Sequence, residues 1–207
     1  GNVQSNGQNG AVMQQVQELF LAGQTSQAVS LCNQLVGTST GYGAYQPWGD
    51  IWFDYSGIST NVTDYQRDLD LTTGIASVSF TENGTEYTRE YFISHDDNVL
   101  VARLEANGSA KLNLDVRFTS KQNGTTVVQG NNTLVLNGQV SDNQLKYASY
   151  LTVVPEDGTV TAGSGKLTVA GASAITVYLS AATDYKNTFW NEDQTDNYYY
   201  RTGETDA

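Results

Sequence analysis

Proline, cysteine, histidine and basic residues are all scarce in this chain. Each shortage closes off a class of explanation. Two prolines stand against 20 glycines in 207 residues, so the turns must be made by Gly, Asn and Asp. One cysteine, Cys32, excludes an internal disulfide. It follows Leu31 in a helical pattern and reads as a buried small hydrophobe. A thiol nucleophile needs a base close by, and the one histidine, His95, gives it no local support. Ten Lys and Arg against 22 Asp and Glu leave a net charge of -12. That balance argues against nucleic acid, whose phosphates are met by clustered cations, and against docking on an anionic membrane. It fits a soluble, self-repelling surface. No apolar run approaches the ~20 residues needed to span a bilayer. The chain opens on Gly1 without a signal-peptide pattern, and its natural start need not be here.

What is present is sheet-forming material. Thirteen tyrosines and many threonines suit half-buried β surfaces. The stretch Tyr45–Ala106 is the most informative. In SVSF, Val78 and Phe80 share one face. Asn83-Gly84 follows, a dipeptide that accepts the positive φ angles of a tight hairpin turn. Tyr87, Arg89, Tyr91 and Ile93 then share one face, and Thr88, Glu90, Phe92 and Ser94 the other. Val99, Val101 and Leu104 begin the next strand, where fitting Leu100 calls for a bulge or mixed burial. Strands are expected over 45–55, 65–80, 85–94, 98–106, 110–118, 125–129, 132–137, 144–154, 166–170 and 174–181. Asn107-Gly108, Asn123-Gly124, Asn137-Gly138 and Asp157-Gly158 read as breaks between them.

Near the N-terminus the pattern differs. Residues 1–10 are a polar, flexible lead-in. Val12, Val16, Leu19 and Phe20 then recur at helical spacing, followed by Ala28, Leu31, Cys32 and Leu35. Ala22-Gly23-Gln24 ends the first run, and Thr25 or Ser26 can cap the second. The result over 11–36 is a helical hairpin whose apolar face must cover a sheet. The expected fold is mainly β: a large antiparallel, supersandwich-like β-sandwich with a short helical hairpin near the N-terminus. Residues 11–186 form one domain, and 187–207 are an acidic tail carrying Phe189, Trp190, Tyr198, Tyr199 and Tyr200.

QELFLAGQTSQAVSLCNQLV, YQPWGDIWFDY, DYQRDLDLTTGIASVSF, YTREYFISHDDNVLVARL and the segment from Leu151 to Asn187 occur in this order. In that order they resemble the N-terminal β-sandwich domain of family 95 glycoside hydrolases, the α-L-fucosidase family. The resemblance implies a parent enzyme that hydrolyses terminal α-L-fucosides with inversion. Its glutamic acid serves as general acid, and an asparagine polarised by an aspartate activates water. Such a site holds its groups ~6.5–9.5 Å apart to admit that water. In the family these residues lie in a later helical barrel, and none maps onto this chain. The resemblance therefore implies a non-catalytic domain whose partner is the catalytic barrel of the same polypeptide. The parent would act on fucosylated glycans, and the Asn/Thr/Gly-rich, lysine-poor composition suggests secretion from a bacterium. The family's opening strands also have no counterpart here. Unpaired edges would then favour weak self-association that strengthens as salt screens the charge.

No residue is assigned a catalytic, cofactor-binding or metal-binding role. Asp68 and Asp70 share a strand face and read as solvated carboxylates near Arg67 and Arg89. His95-Asp96-Asp97 reads as a turn, since metal sites need converging ligands. Glu192, Asp193 and Asp196 do not fit a Ca²⁺ loop. Arg67, Arg89 and Glu90 read as a structural charge network. The alternative function is an independent carbohydrate-binding module that stacks sugars on Trp48, Trp52 or Trp190, although Trp48 and Trp52 lie beside Ile51 and Phe53, where packing is commoner.

Overall fold

The computed structural model describes residues 10–35, 47–141, 143–186 and 201–205. Residues 1–9 of the expected lead-in, Tyr45 and Gln46 of the first expected strand, and the tail aromatics and acids within 187–200 lie outside these residues, while Gly10 already belongs to the first helix. The chain divides into two compact units, Gly1–Gln46 and Pro47–Ala207.

The first unit contains α1 (Gly10–Leu21) and α2 (Thr25–Cys32). Val12, Val16 and Leu19 of α1 are at least partly buried, as are Ala28, Leu31, Cys32 and Leu35, whereas Phe20 is exposed. Gly23, at φ +73°, ends α1. Its N–H donates to Phe20 O at 3.1 Å, and that of Gln24 to Leu19 O at 2.9 Å. These are the paired bonds of a Schellman stop, and the left-handed residue they need is supplied by glycine. Gln24 then serves at once as the N-cap of α2, with no side-chain bond. The expected caps, Thr25 and Ser26, are already helical, because the stop leaves no residue between the two helices for them to occupy.

The second unit is a two-sheet antiparallel sandwich. Its strands in chain order are β1 (Asp50–Tyr55), β2 (Thr63–Asp70), β3 (Ile75–Glu82), β4 (Thr85–Ser94), β5 (Val99–Asn107), β6 (Leu112–Thr119), β7 (Thr125–Gln129), β8 (Thr133–Gln139), β9 (Lys146–Glu156), β10 (Thr159–Gly163), β11 (Lys166–Ala172) and β12 (Ala174–Thr183). A four-stranded sheet has the order β1-β6-β11-β10, and an eight-stranded sheet the order β2-β3-β4-β5-β12-β9-β8-β7. The expected mainly β class, the sandwich and the two short N-terminal helices are all present.

Period 2 decides what is buried. Leu112, Leu114, Val116 and Phe118 of β6 alternate with Asn113, Asp115, Arg117 and Thr119. They meet Leu104, Leu151, Val153, Ile175 and Val177 of the wide sheet, and Leu167 and Val169 of β11 complete the layer. A buried leucine in such a layer stabilises by ~2–5 kcal/mol relative to alanine.

Four details depart from the sequence pattern. The run 65–80 is two strands, turned at Leu71–Gly74. Gly74 takes φ +71° and its N–H reaches Asp70 O at 2.8 Å, while Asp70 Oδ1 accepts from the Thr72 N–H at 2.8 Å. The edge strand β10 went unpredicted because its TVTAG is short, small and half exposed. In β5 mixed burial, not a bulge, accommodates Leu100. Its register against β4 is continuous, and Leu100, Ala102, Leu104 and Ala106 face the core while Val99 and Val101 face outward. Finally, Asn137-Gly138 is not a break, since β8 runs through it and pairs Gly138 with Tyr147. A Cβ on Gly138 would stand 2.1 Å from the Tyr147 hydroxyl. The glycine thus serves close packing rather than a turn.

Asn83-Gly84 does form the hairpin turn between the paired β3 and β4, with φ +48° and +76°; Asp157-Gly158 takes similar angles, +57° and +64°, but joins two unpaired strands. At the second turn the chain leaves the wide sheet for the narrow one.

Gly138→Ala should lower unfolding stability by about 1–3 kcal/mol, because the buried Tyr147 ring must shift. Gly163→Ala, where nothing lies within 4 Å of the added methyl and φ is not positive, should change it by about 0.5 kcal/mol or less. Urea titration of both variants checks the contrast.

Candidate functional site

The turn at Asn83-Gly84 closes one end of the sandwich together with the loop after β1 and the crossing from β5 to β6. Between them lies a cavity of about 460 Å³. Most of its lining is polar, and it includes Glu82, only 7 % exposed. Glu82 follows Val78 and Phe80 at period 2, so the strand pattern aims a carboxylate inward. Sequence reasoning had passed over it, although the alternation alone places it on the core face. Burying a charge is costly unless it is hydrogen-bonded. Here Oε1 accepts from the Ser59 N–H at 3.2 Å and from Asn83 Nδ2 at 3.1 Å. Neither of these bonds ends on Oε2.

The wall beside Glu82 is aromatic. Tyr87 stacks on Phe80 with centroids 5.2 Å apart, and Tyr55 meets Tyr87 edge-on at 6.5 Å. Arg89 lies between rings, its guanidinium carbon 4.7 Å from the Tyr55 centroid and 5.4 Å from that of Phe80. Burial pushes the Tyr55 phenol up from 10.0 to about 12, against the opposing charge of Arg89. Burial likewise raises Tyr87, with Glu82's negative charge adding to the effect. Next to the lining residue Ser109, Gly108 passes so close to Thr85 that a Cβ would stand 2.7 Å from Thr85 Oγ1.

The outer face of the narrow sheet is laced with ion pairs. Asp54 and Asp115 are directly opposite in the register, a pairing that would repel if left alone. Arg117 Nε donates to Asp54 Oδ2 at 2.6 Å, and Lys166 Nζ to Asp115 Oδ2 at 2.6 Å. The hydrogen bonds from Lys166 and Thr168 hold the Asp115 carboxyl below the usual range. The Arg117 guanidinium also covers the Trp52 ring at 5.0 Å, and Trp52 Nε1 donates to Thr119 Oγ1 at 2.9 Å. Trp48 instead packs edge-on against Phe118.

The outer face of the wide sheet is different. Phe92, Tyr150, Val154 and Tyr178 are 40 %, 37 %, 45 % and 43 % exposed there. Register brings Phe92, Val101 and Tyr178 into one row across β4, β5 and β12. At the end of this face Arg103 reaches across the small Ala174 to join Glu105 and Glu156, at 2.7 and 2.8 Å. The hydrogen bond from Arg103 holds Glu156 below the usual carboxylate range. The charge network thus centres on Arg103, not on Arg67, Arg89 and Glu90.

The other carboxylates noted in sequence serve turns or solvent. Asp70 caps the Leu71–Gly74 turn, and Asp68 is exposed on β2. Between β4 and β5, Ser94 Oγ donates to Asp97 at 2.7 Å, while His95 and Asp96 are fully open to solvent. Among the described residues no group of three His, Cys, Asp or Glu converges to hold a metal ion. No described helix is long and apolar enough to cross a membrane.

A family model described as "Glycosyl hydrolase family 65, N-terminal domain" matches residues 1–188. The chain belongs to this family. "Alpha-L-fucosidase 2" of Arabidopsis thaliana is 34 % identical over 108 residues, which is 51 % of this chain and 12 % of the relative. "Probable alpha-fucosidase A" of Aspergillus oryzae is 25 % identical over 165 residues, 75 % of this chain and 22 % of the relative. The chain therefore spans a small part of the curated relatives it matches. The resemblance to an N-terminal fucosidase domain stands, with the family's description carrying the number 65 and the relatives the fucosidase name. A solved structure titled "Putative kojibiose phosphorylase from human microbiome" matches with TM-score 0.44 at 14 % identity, over 76 % of this chain and 26 % of that one.

Because the folded Tyr55 holds its proton more tightly than the unfolded chain does, its contribution is complete below pH 10 and is lost as pH rises towards 12. Two pH units correspond to roughly 2–3 kcal/mol. Tyr55→Phe should remove one late-titrating phenol from the ultraviolet titration and flatten the alkaline fall in stability over that window.

Proposed function

We propose that this glycosyl hydrolase N-terminal domain is the non-catalytic β-sandwich of a secreted bacterial α-L-fucosidase-like enzyme. It supports the helical catalytic barrel that follows in the same polypeptide, and the parent acts on fucosylated glycans. The observation that carries the reading is the unlike character of the two outer faces. The narrow sheet turns ion pairs to water. The wide sheet presents Phe92, Val101, Tyr150, Val154 and Tyr178, an apolar patch set beside the Arg103–Glu105–Glu156 ion pairs, of the kind that marks an interaction site. The fucosidase names of the relatives, and the small share of their lengths that this chain spans, support a larger parent. Secretion accords with the Asn- and Thr-rich, lysine-poor composition.

An independent module that stacks sugars on tryptophan is less well supported. One face of Trp52 is covered by Arg117, and Trp48 packs on Phe118.

The isolated chain should hydrolyse aryl α-L-fucosides no faster than buffer. Turnover that vanished on replacing one of its carboxylates would contradict the reading. Tyr178→Glu should change the stability of the isolated chain by only about 0.5 kcal/mol, the usual effect at an exposed position. In the full-length polypeptide the same substitution should expose the domain to limited proteolysis and lower fucosidase activity. Equal effects in the two contexts would count against docking through this face.

A further inference from the structure

We propose that the cavity over Glu82 is a binding site for a neutral, hydroxyl-rich ligand of pyranose size. This is a second function, separate from the supporting role and independent of it. The cavity, at about 460 Å³, falls within the roughly 300–1,000 Å³ of small-molecule sites. It is lined by the Glu82 side chain, a residue that is 7 % exposed. A carboxylate offers about four acceptor positions, and the protein donors Ser59 N–H and Asn83 Nδ2 both fall on Oε1. The remaining acceptor capacity of Glu82 is available to a donor within the cavity that it lines.

The choice of ligand follows from the charges. An anion would be repelled by Glu82 in a chain of net charge -12. A metal ion would need several converging ligands, and among the described residues Glu82 belongs to no such group. A sugar satisfies both demands. One hydroxyl donates to Glu82, while a neighbouring one accepts from Lys111, a lining residue with no ion pair among the described residues. Ser109 adds a hydroxyl that donates or accepts. Ile58 offers an apolar patch for the C–H face of the pyranose.

The test is amide NMR of the ¹⁵N-labelled chain titrated separately with L-fucose, D-galactose and D-glucose. The Ser59 amide reports directly, because it donates to Glu82. At least one of the sugars should give saturable shifts at Ser59, Asn83 and Ala110, with a Kd on the order of 1 mM. Glu82→Gln, which keeps the shape but weakens the acceptor, should raise that Kd about tenfold. Should Glu82→Gln unfold the chain, Ser109→Tyr fills the cavity from an exposed loop and should abolish the shifts. Absence of saturable shifts with all three sugars overturns the proposal, as does binding that survives Ser109→Tyr. Neither result bears on whether the wide sheet docks a barrel.

Discussion

One apolar layer, shared by two sheets of unequal width, governs the rest of this domain. Leu114 and Val116 of β6 and Leu167 and Val169 of β11 meet Leu104, Leu151, Val153, Ile175 and Val177 across it. The narrow sheet has four strands and the wide sheet eight, so the central strands of the wide sheet are buried on one face while its margins are not. At one margin β2 is exposed along nearly its whole length, with Tyr65 and Leu69 each 59 % exposed. A bulge between Thr63 and Gln66 interrupts its register against β3. Charged residues and bulges on an edge strand discourage pairing with a second chain. β2 combines the bulge with Asp64, Arg67 and Asp68.

The same inequality gives the two outer faces different compositions. A narrow sheet that lies over the core needs only a solvated outer surface. The opposed Asp54 and Asp115 are held there by Arg117 and Lys166, in pairs that each contribute about 1 kcal/mol or less at such exposure. The wide sheet carries apolar side chains outward through its centre, where β4, β5, β12 and β9 lie side by side. That surface is consistent with a domain whose relatives are much longer than itself. The strand ends meet a third requirement, since every crossing between sheets must satisfy its backbone. Ser173, at the return from β11 to β12, donates its N–H and its hydroxyl to Glu156 O and so ties one crossing to the next.

Much of this was legible in the sequence because period 2 and Asn-Gly or Asp-Gly turns act locally. Tyr87 and Phe80 stack as the alternation places them, and Asn83 and Asp157 take the left-handed angles their dipeptides allow. The misses have a common cause, which is that the deciding partner is distant in sequence. Gly138 reads as a turn until Tyr147 is seen to fill the space above it. Leu100 leaves a bulge or mixed burial open until the register against β4 and β12 shows Val99 and Val101 on the outer face. The turn at Leu71–Gly74 is hidden by flanking residues that continue a β pattern, and Asp70 discloses it only through its bonds to Thr72. The cavity was the least visible feature. Glu82 is one acidic residue among 22 acids, and only its inward register distinguishes it.

The central claim is that the outer face of the wide sheet is covered in the complete protein. Hydroxyl-radical footprinting of the full-length polypeptide and of this chain alone tests it most directly, since the probe reads side-chain exposure one residue at a time. The account predicts that Phe92, Tyr150 and Tyr178 are protected in the full-length protein and labelled in the isolated chain, with Trp52 labelled in both. Equal labelling of Phe92, Tyr150 and Tyr178 in the two proteins would contradict it.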